Sequence, residues 1–294
     1  MNLTQIMLDS KLPLHEITEE ESVKLKQTLL EMYRDIMFVC NKYSLTCYLG
    51  GGSCLGAVRH NGFIPWDDDL DLNMFRKEYD QIPTLIEKEF PKKYKIVGPG
   101  FRKNNSYNFL KIEKIGTKLK TVFDGEQDNP GIGIDIFPME SIPTNFFHNQ
   151  IHGFILNAIF YIAVCTKLYQ KPSFADDILL SVKAGKRKLI IRKIIGFLFS
   201  WCPFSRWILM GDKIASRSYE SNMMTIPSGR KHYFGEIQHC SVFSPPLKHY
   251  FEGIESNIPN NYDKYLSALY GNYMRIPPIE KREKHFIIEI DFGN

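Results

Sequence analysis

Four carboxylates fall within five positions of this sequence, and apolar residues stand on both sides of them. The acids are Asp67, Asp68, Asp69 and Asp71. Their apolar neighbours are Ile64, Trp66, Leu70, Leu72 and Met74. Such neighbours favour acids held at the edge of a buried element over a solvated acidic turn, which is the alternative. On a strand, Asp69 and Asp71 would project from one face, because side chains two positions apart point the same way.

Two carboxylates held close together repel each other, and each then resists ionisation. A hard divalent cation removes the repulsion, and Mg²⁺ prefers one or two carboxylates combined with phosphate oxygens of a substrate. The acidic run therefore predicts a metal site that works with a phosphate-bearing ligand.

A single carboxylate, Asp135, interrupts the segment Gly131–Phe137, which is otherwise apolar on both faces. That pattern is typical of a strand inside a sheet. Burying an unpaired carboxylate there would cost on the order of several kcal/mol, so Asp135 needs a cation or a strong donor. It is a further metal ligand, a carboxylate that activates a nucleophile, or the partner of a core arginine.

A glycine loop, Gly51-Gly52-Ser53, follows a predicted strand over 45–49 and precedes a helix predicted to start near Cys54. Glycine lets backbone N–H groups approach a phosphate closely. The loop matches neither G-x-G-x-x-G nor the P-loop, so a Rossmann dinucleotide site and a Walker ATPase are not supported. A strand, Gly-Gly-Ser, Asp-x-Asp on the next strand and a later lone Asp together match the arrangement of the nucleotidyltransferase fold.

The rest of the chain predicts an α/β protein of the α+β class, with a nucleotidyltransferase-like mixed sheet core and a helical insertion. The 294 residues are 44% hydrophobic and 24% charged, which excludes a disordered chain. Helical spacing of apolar residues predicts a helix over 21–39. The division we expect is an N-terminal lead-in (1–20), a catalytic core (21–144), a helical, aromatic and basic insertion (145–235) and a C-terminal segment that returns to the core (236–294).

Within the insertion, basic residues crowd the start of an apolar, aromatic stretch. They are Lys183, Lys186, Arg187, Lys188, Arg192 and Lys193. This pattern predicts peripheral association with the inner face of a membrane; a helix that covers the core with a solvated cationic edge is the alternative. The uncharged run Ile194–Ser205 has 12 residues, short of the roughly 20 that a bilayer needs. Residues 151–166 are also apolar, and we predict a buried core helix there.

Net charge and cysteine content indicate which partners and which cellular compartment to expect. The net charge of +4 and the lack of a basic patch near the motif argue against nucleic acid as a partner. No signal peptide is recognisable, and the six cysteines form no CxxC pair, so we expect buried, reduced thiols in a cytoplasmic protein.

The segment Gly51–Leu72 resembles the signature of the LicD phosphotransferase family, to which the eukaryotic fukutin proteins are related. Further matches follow in the order of the family between about residues 25 and 286. They are Lys111, Ile134–Pro138, Phe251–Gly253, Tyr270–Met274, Pro277-Pro278, Arg282 and His285.

The resemblance implies transfer of a phospho-substituent from a CDP-linked donor, typically CDP-choline, to a hydroxyl of a cell-surface glycan or glycolipid of the lipopolysaccharide, teichoic acid or capsule type. The implied cofactor is Mg²⁺, with Mn²⁺ as a substitute. Asp67, Asp69 and Asp71 match the metal-binding acids of the family, and Asp135 matches the later strand acid, while Asp68 gives support. Either Asp135 or Asp67 would accept the hydroxyl proton.

The predicted phosphate contacts divide into backbone, hydroxyl and cationic groups. Gly51, Gly52 and Ser53 would orient phosphate. The candidate cationic and imidazole contacts are Arg59, His60, Lys111, Arg282 and His285, for which surface or structural roles are the alternatives. A choline donor would also require an aromatic box, whose members the sequence does not identify.

Three rival functions remain open from the sequence. One is a nucleotidyltransferase that releases pyrophosphate instead of CMP. Another is transfer of a different CDP-linked group: ethanolamine, aminoethylphosphonate, glycerol phosphate or ribitol phosphate. The third is a non-catalytic binding protein, which the presence of all the acids disfavours.

Overall fold

The computed structural model of the chain describes residues 14–101, 105–176, 183–279, 282 and 286–293. Within these residues the chain forms a seven-stranded mixed sheet, two two-stranded sheets and flanking helices. The α+β class predicted from the sequence is confirmed. His285 and most of the predicted lead-in lie outside the described residues.

The described residues form the following helices, named in chain order. They are α1 (Glu19–Tyr43), α2 (Gly51–His60), α3 (Arg76–Tyr79), α4 (Ile82–Glu89), α5 (Phe146–Gln170), α6 (Lys183–Leu198), α7 (Phe204–Ala215), α8 (His232–Gly235) and α9 (Tyr262–Tyr270). The strands are β1 (Tyr48–Leu49), β2 (Asp71–Phe75), β3 (Tyr94–Val97), β4 (Leu110–Lys114), β5 (Lys118–Thr121), β6 (Gly133–Ser141), β7 (Met223–Thr225), β8 (Gln238–His239), β9 (Leu247–Phe251), β10 (Ile254–Ile258) and β11 (Ile287–Asp291).

Helix α1 confirms the helix predicted over 21–39 and extends it at both ends. Thr18 Oγ1 accepts from the Glu21 N–H at 3.2 Å, and the Glu21 carboxylate accepts from the Thr18 N–H at 2.9 Å. This reciprocal capping satisfies N–H groups that a helix start leaves without partners. The helix ends at Ser44, whose φ of 55° is left-handed. Its apolar face packs on the sheet and forms part of the main core.

The main sheet has the order β1-β2-β6-β4-β3, and β7 and β8 continue from the end of β6. Strands β2 and β6 run parallel, with Asp71 opposite Asp135. Strand β4 runs antiparallel to β6, with Lys111 opposite the same Asp135. Pairing across three strands therefore sets Asp71, Asp135 and Lys111 in one row. Because paired residues of neighbouring strands point to the same face, this row brings charged side chains together.

Helices α5, α6 and α7 form a layer beside the sheet. Helix α7 packs Trp207 and Ile208 against Ile159 and Ala163 of α5. Arg76, the first residue of α3, ties this layer to the core: its Nε donates to Glu140 of β6 at 3.0 Å, and its guanidinium donates to Asp212 of α7 at 2.9 Å. Arg76 and Asp212 are each largely buried, so the ion pair is shielded from solvent.

One prediction for this layer is wrong. The stretch 151–166 was predicted to be a buried core helix, but Phe154 of α5 is 71% exposed and Ile151 is 59% exposed. Helices α7 and α6 cover only part of the circumference of α5, and an apolar sequence does not reveal which side of a helix its neighbours leave open. Among the described residues, α5 is the helix long and apolar enough to cross a membrane.

Candidate active site

The turn from β1 into α2 forms the first part of the site. The Gly50 N–H donates to the Asp71 carbonyl at 2.9 Å, and the Cys54 N–H donates back to the Gly50 carbonyl at 2.9 Å. The helix therefore begins at Gly51 rather than near Cys54 as predicted, and the expected loop is its first turn. The start of a helix carries N–H groups without intrahelical partners and a partial positive charge, which favours anions.

Glycine at positions 51 and 52 leaves room for two carboxylates above this helix start. A Cβ on Gly52 would lie 3.0 Å from Asp67 Oδ2, and a Cβ on Gly51 would lie 3.4 Å from Asp71 Oδ2. Gly51 also has a φ of +40°, a backbone conformation that strains other residues. The two glycines thus let acids from the following segment approach the helix N-terminus closely.

The acid run forms a compact oxygen cluster. Oxygen atoms of Asp67, Asp68 and Asp69 lie within 4.8 Å of one another, and all three side chains are partly buried. Strand β2 begins at Asp71. Asp69 therefore precedes the strand, whereas the sequence predicted that Asp69 lies on it. Asp71 lines the same cavity as Asp67 and Asp69. A donor set made only of carboxylate oxygens fits a hard cation such as Mg²⁺.

Ser53 binds the backbone of the segment that carries the acids. Its side chain is buried, and its Oγ accepts from the Asp71 N–H at 2.9 Å. The hydroxyl predicted to orient a phosphate therefore contacts the backbone of a cavity acid, and Ser53 is not part of the cavity lining among the described residues.

Asp135 has a cationic partner, which is a lysine rather than the arginine considered from the sequence. Lys111 Nζ donates to Asp135 Oδ1 at 2.9 Å. Burial lowers the pKa of Lys111, but the neighbouring Asp135 charge outweighs it and the pKa is raised. Lys111 therefore stays charged. The pair lies beside Asp71 in the strand row, outside the cavity lining of the described residues.

The acids open into a cavity of about 640 Å³. Two of the predicted cations, Arg59 and Arg282, lie in its wall beside Trp66. The Arg282 guanidinium is 4.0 Å from the centre of the Trp66 ring, and that of Arg59 is 6.0 Å away. Arg59 also donates to the Tyr273 carbonyl at 2.7 Å, and burial lowers its pKa.

His60 supports Arg59 instead of lining the cavity. Its Nε2 accepts from Arg59 Nε at 2.9 Å, and its ring packs edge-on against Trp66. Burial and the Arg59 charge both lower the pKa of His60. The imidazole is therefore neutral at pH 7, as its acceptor role requires.

The far wall of the cavity comes from the segment 226–236, which the sequence analysis did not connect with the site. Ser228 Oγ is buried and has no hydrogen-bond partner among the described residues. Glu236 is also buried, and its Oε1 accepts from the Lys231 N–H at 2.8 Å. Burial raises the pKa of Glu236 to about 7, although the Lys231 N–H opposes this. A serine-glycine-basic run, Ser228–Lys231, is the local signal that could have indicated this wall.

Helix α9 and the segment after it complete the cavity with aromatic side chains. Tyr265, Tyr270 and Tyr273 line it. The Tyr265 hydroxyl accepts from the Gly51 N–H and from Asn73 Nδ2, both at 3.0 Å. Tyr265 thereby ties α9 to the start of α2 across the site.

In this site a helix begins with glycines, a cluster of carboxylates lies above the helix start, and both are at the edge of a mixed sheet. This arrangement agrees with the family comparison. Residues 44–160 match the family described as "LicD/FKTN/FKRP, nucleotidyltransferase domain". The resemblance to the LicD family found in the sequence is therefore confirmed over this part of the chain.

The chain is also similar to individual proteins, one of which carries the LicD name. The chain is 26% identical over 257 residues to the lipopolysaccharide cholinephosphotransferase LicD of Haemophilus influenzae, over 85% of this chain and 90% of that protein. It is 25% identical over 129 residues to an uncharacterized protein of Rickettsia prowazekii, covering 44% of this chain and 45% of that one. An uncharacterized protein of Rickettsia typhi is 31% identical over 99 residues, covering 34% and 29%.

Proposed function

We propose that this protein transfers phosphocholine from CDP-choline to a hydroxyl of a lipopolysaccharide-type surface glycan, with Mg²⁺ as cofactor. One observation carries the proposal. A single cavity joins a carboxylate cluster, a helix N-terminus, four arginines and an aromatic wall with a buried glutamate. The similarity to the Haemophilus influenzae cholinephosphotransferase supports this choice of substrates.

The diphosphate of the donor matches the acidic side of the cavity. Asp67, Asp68 and Asp69 would hold the metal ion, which when bound neutralises phosphate charge and stabilises the departing CMP. Arg59 and Arg282 line the cavity and supply positive charge for phosphate oxygens.

The choline group matches the far wall. A quaternary ammonium is attracted to aromatic faces and to a carboxylate. Tyr265 lines the cavity with Glu236, and the Glu236 charge adds to burial in raising the pKa of Tyr265. Tyr270 lines the cavity too, with the Arg230 guanidinium 5.1 Å from the centre of its ring. Ser228 Oγ, which has no partner among the described residues, is a hydroxyl ready to hydrogen-bond the donor.

The displacement needs a proton acceptor as well as positive charge. A bond forms between the acceptor hydroxyl oxygen and the phosphorus that carries choline, while the bond from that phosphorus to the CMP oxygen breaks. The hydroxyl proton passes to a carboxylate. Of the two candidates, Asp67 lines the cavity, whereas Asp135 accepts from Lys111. We therefore assign the proton to Asp67.

The test is a donor assay with purified protein, Mg²⁺, lipopolysaccharide acceptor and CDP-choline, in which CMP and acceptor-bound phosphocholine are measured together. We expect equal amounts of both, and none after chelation of divalent ions. CDP-ethanolamine and CDP-glycerol in parallel reactions test the head group. No CMP with any CDP-linked donor, or pyrophosphate release in a parallel reaction that supplies CTP as the donor, would overturn the proposal.

The matched control for the assay is Asp80→Asn. Asp80 is an exposed acid that pairs with Arg76 at 3.1 Å, away from the cavity lining. The Asp80→Asn substitution removes one carboxylate, as an active-site variant would, and should leave the rate of CMP release unchanged. Equal loss of activity in this control would show that the assay reports stability.

A further inference from the structure

Helices α5 and α6 leave an unusually apolar surface open. The large side chains Phe147, Phe154, Phe197 and Leu198 are 75%, 71%, 60% and 61% exposed. Further exposed apolar residues on these helices are Ile151, Ile155, Tyr161, Val164, Ile190, Ile191 and Ile194. Scattered apolar residues are ordinary on a protein surface, but a contiguous set of this kind indicates an interaction site.

The exposed residues of the two helices meet where the helices cross. Helix α6 crosses α5 closely at Gly196, where a Cβ would lie 2.2 Å from the Cys165 carbonyl oxygen. Beside this crossing the rings of Tyr169 and Phe197 lie 5.7 Å apart. We call this combined surface, made of the exposed residues of α5 and α6, the α5–α6 face.

The charge of this face has one sign. Neither α5 nor α6 contains an aspartate or glutamate, and α6 carries six lysines and arginines, while the whole chain has a net charge of only +4. Lys186, Arg187 and Lys188 are exposed in the first half of α6, immediately before its apolar residues. Cations beside exposed apolar side chains match an anionic lipid surface, with headgroups at the cations and acyl chains at the apolar side chains.

The opposite side of α5 packs against the segment that forms the far wall. His152 Nδ1 lies 3.0 Å from the Tyr233 hydroxyl, and that hydroxyl donates to Asn149 Oδ1 at 2.6 Å. Tyr233 belongs to α8, within the segment 226–236 that forms the far wall. The α5–α6 face and the cavity wall are therefore two sides of one packed unit.

We propose that the α5–α6 face docks the protein on the surface of an anionic lipid bilayer. Helix α5 lies along the bilayer rather than across it, because Ile159 and Leu156 on its other side are packed against α7 and Tyr233. If the acceptor is lipid-linked, which rests on the proposed function, docking brings the cavity wall next to the membrane that carries it.

Vesicle flotation tests this with full-length protein and no donor, so the outcome is independent of transfer activity. We expect the protein to float with vesicles that contain phosphatidylglycerol, more at low salt than at high salt. The triple variant Lys186→Gln, Arg187→Gln, Lys188→Gln should partition at least about tenfold more weakly. The double variant Phe154→Ser, Phe197→Ser should lose binding at both salt concentrations.

The matched control carries Lys77→Gln, Lys248→Gln and Lys264→Gln, three exposed lysines outside α5 and α6. It should bind vesicles within about twofold of the wild type, because none of the three lysines belongs to the α5–α6 face. The proposal is overturned if the wild type does not float, or if this control weakens binding as much as the α6 triple variant. Analytical ultracentrifugation gives a further test. A dimer that the Phe154/Phe197 variant converts to a monomer would mean that a second copy of the chain occupies the face.

Discussion

The two walls of the cavity are built in different ways. The acidic wall comes from one continuous stretch, Gly51–Asp71, in which a helix start and its facing carboxylates lie within 21 residues. The far wall combines the segment 226–236 with Tyr265 and Tyr270 of α9, which is a distant part of the chain. The first wall therefore has a signature that can be found in the sequence, and the second is visible only after folding.

The difference also separates two chemical tasks. The acidic wall offers oxygens and a helix N-terminus, which suit a metal ion and phosphates that every CDP-linked donor shares. The far wall offers aromatic rings and a carboxyl group whose ionisation depends on its surroundings. We infer that the first wall performs the displacement and the second selects the group that is transferred.

The largest effect is expected at the acidic wall. Asp69→Asn keeps the side-chain volume but removes a charge from the oxygen cluster, so CMP release should fall on the order of 10³-fold. The unfolding temperature should stay the same or rise, because carboxylate repulsion is relieved. A variant that retains near wild-type turnover with Mg²⁺ would remove Asp69 from the site.

Glu236→Gln is the matching change at the far wall, and its first readout is stability. Burial raises the pKa of Glu236 from 4.5 to about 7, so the protonated form is favoured in the folded protein. The wild type therefore loses stability as the pH rises from about 4.5 through 7, and the glutamine variant does not. The variant should gain on the order of 3 kcal/mol over the wild type between pH 4 and 8. Thermal unfolding at the two pH values measures this, and an equal difference at both would contradict the raised pKa.

The second readout of Glu236→Gln is selectivity between donors. Ionised Glu236 attracts a quaternary ammonium, so the KM for CDP-choline should fall as the pH rises through about 7 in the wild type. In the variant this dependence should disappear, and the KM should rise about tenfold with little change in kcat. CDP-glycerol, which has no cation, is the control donor. An equal change for both donors would mean that the far wall does not select the head group.

Tyr265→Phe tests the link between the walls. Its hydroxyl accepts from the Gly51 N–H and Asn73 Nδ2, and both donors lose their partner in the variant. We expect a loss of about 1–3 kcal/mol in the free energy of unfolding, measured by urea titration. Tyr250→Phe, at a tyrosine that is 61% exposed, is the matched control and should change little. Equal stability of both variants would show that the two walls are not coupled through this hydroxyl.

The smallest effect is expected for Gly52→Ala. The new Cβ would lie 3.0 Å from Asp67 Oδ2, so the carboxylate must move by a few tenths of an ångström. Such a displacement should lower kcat/KM by about tenfold or less, with the fold intact. Gly51→Ala should be worse, because Gly51 also has a φ of +40°. The reverse order would mean that space above Gly52 matters more than backbone strain at Gly51.

The sequence alone was informative wherever a contact is made by residues close together in the chain. The α1 periodicity, the glycines at the helix start and the acid run all follow from spacing, because helix and strand geometry fix which neighbours share a face. Asp135 could be singled out because an isolated carboxylate in an apolar strand needs a partner, but its partner, Lys111, became known only from strand register. The domain boundaries predicted from the sequence stay predictions.

Tertiary structure decided the rest, for two physical reasons. Glu236, Ser228 and Tyr265 reach the cavity through packing between distant segments, and local pattern does not record such packing. The sequence did not predict the exposed side of α5. A helix that packs in a protein core and a helix that presents apolar side chains on the surface can have equally apolar sequences. The sequence determined that α5 is apolar, and only the packing of α6 and α7 determined which of its side chains remain on the surface.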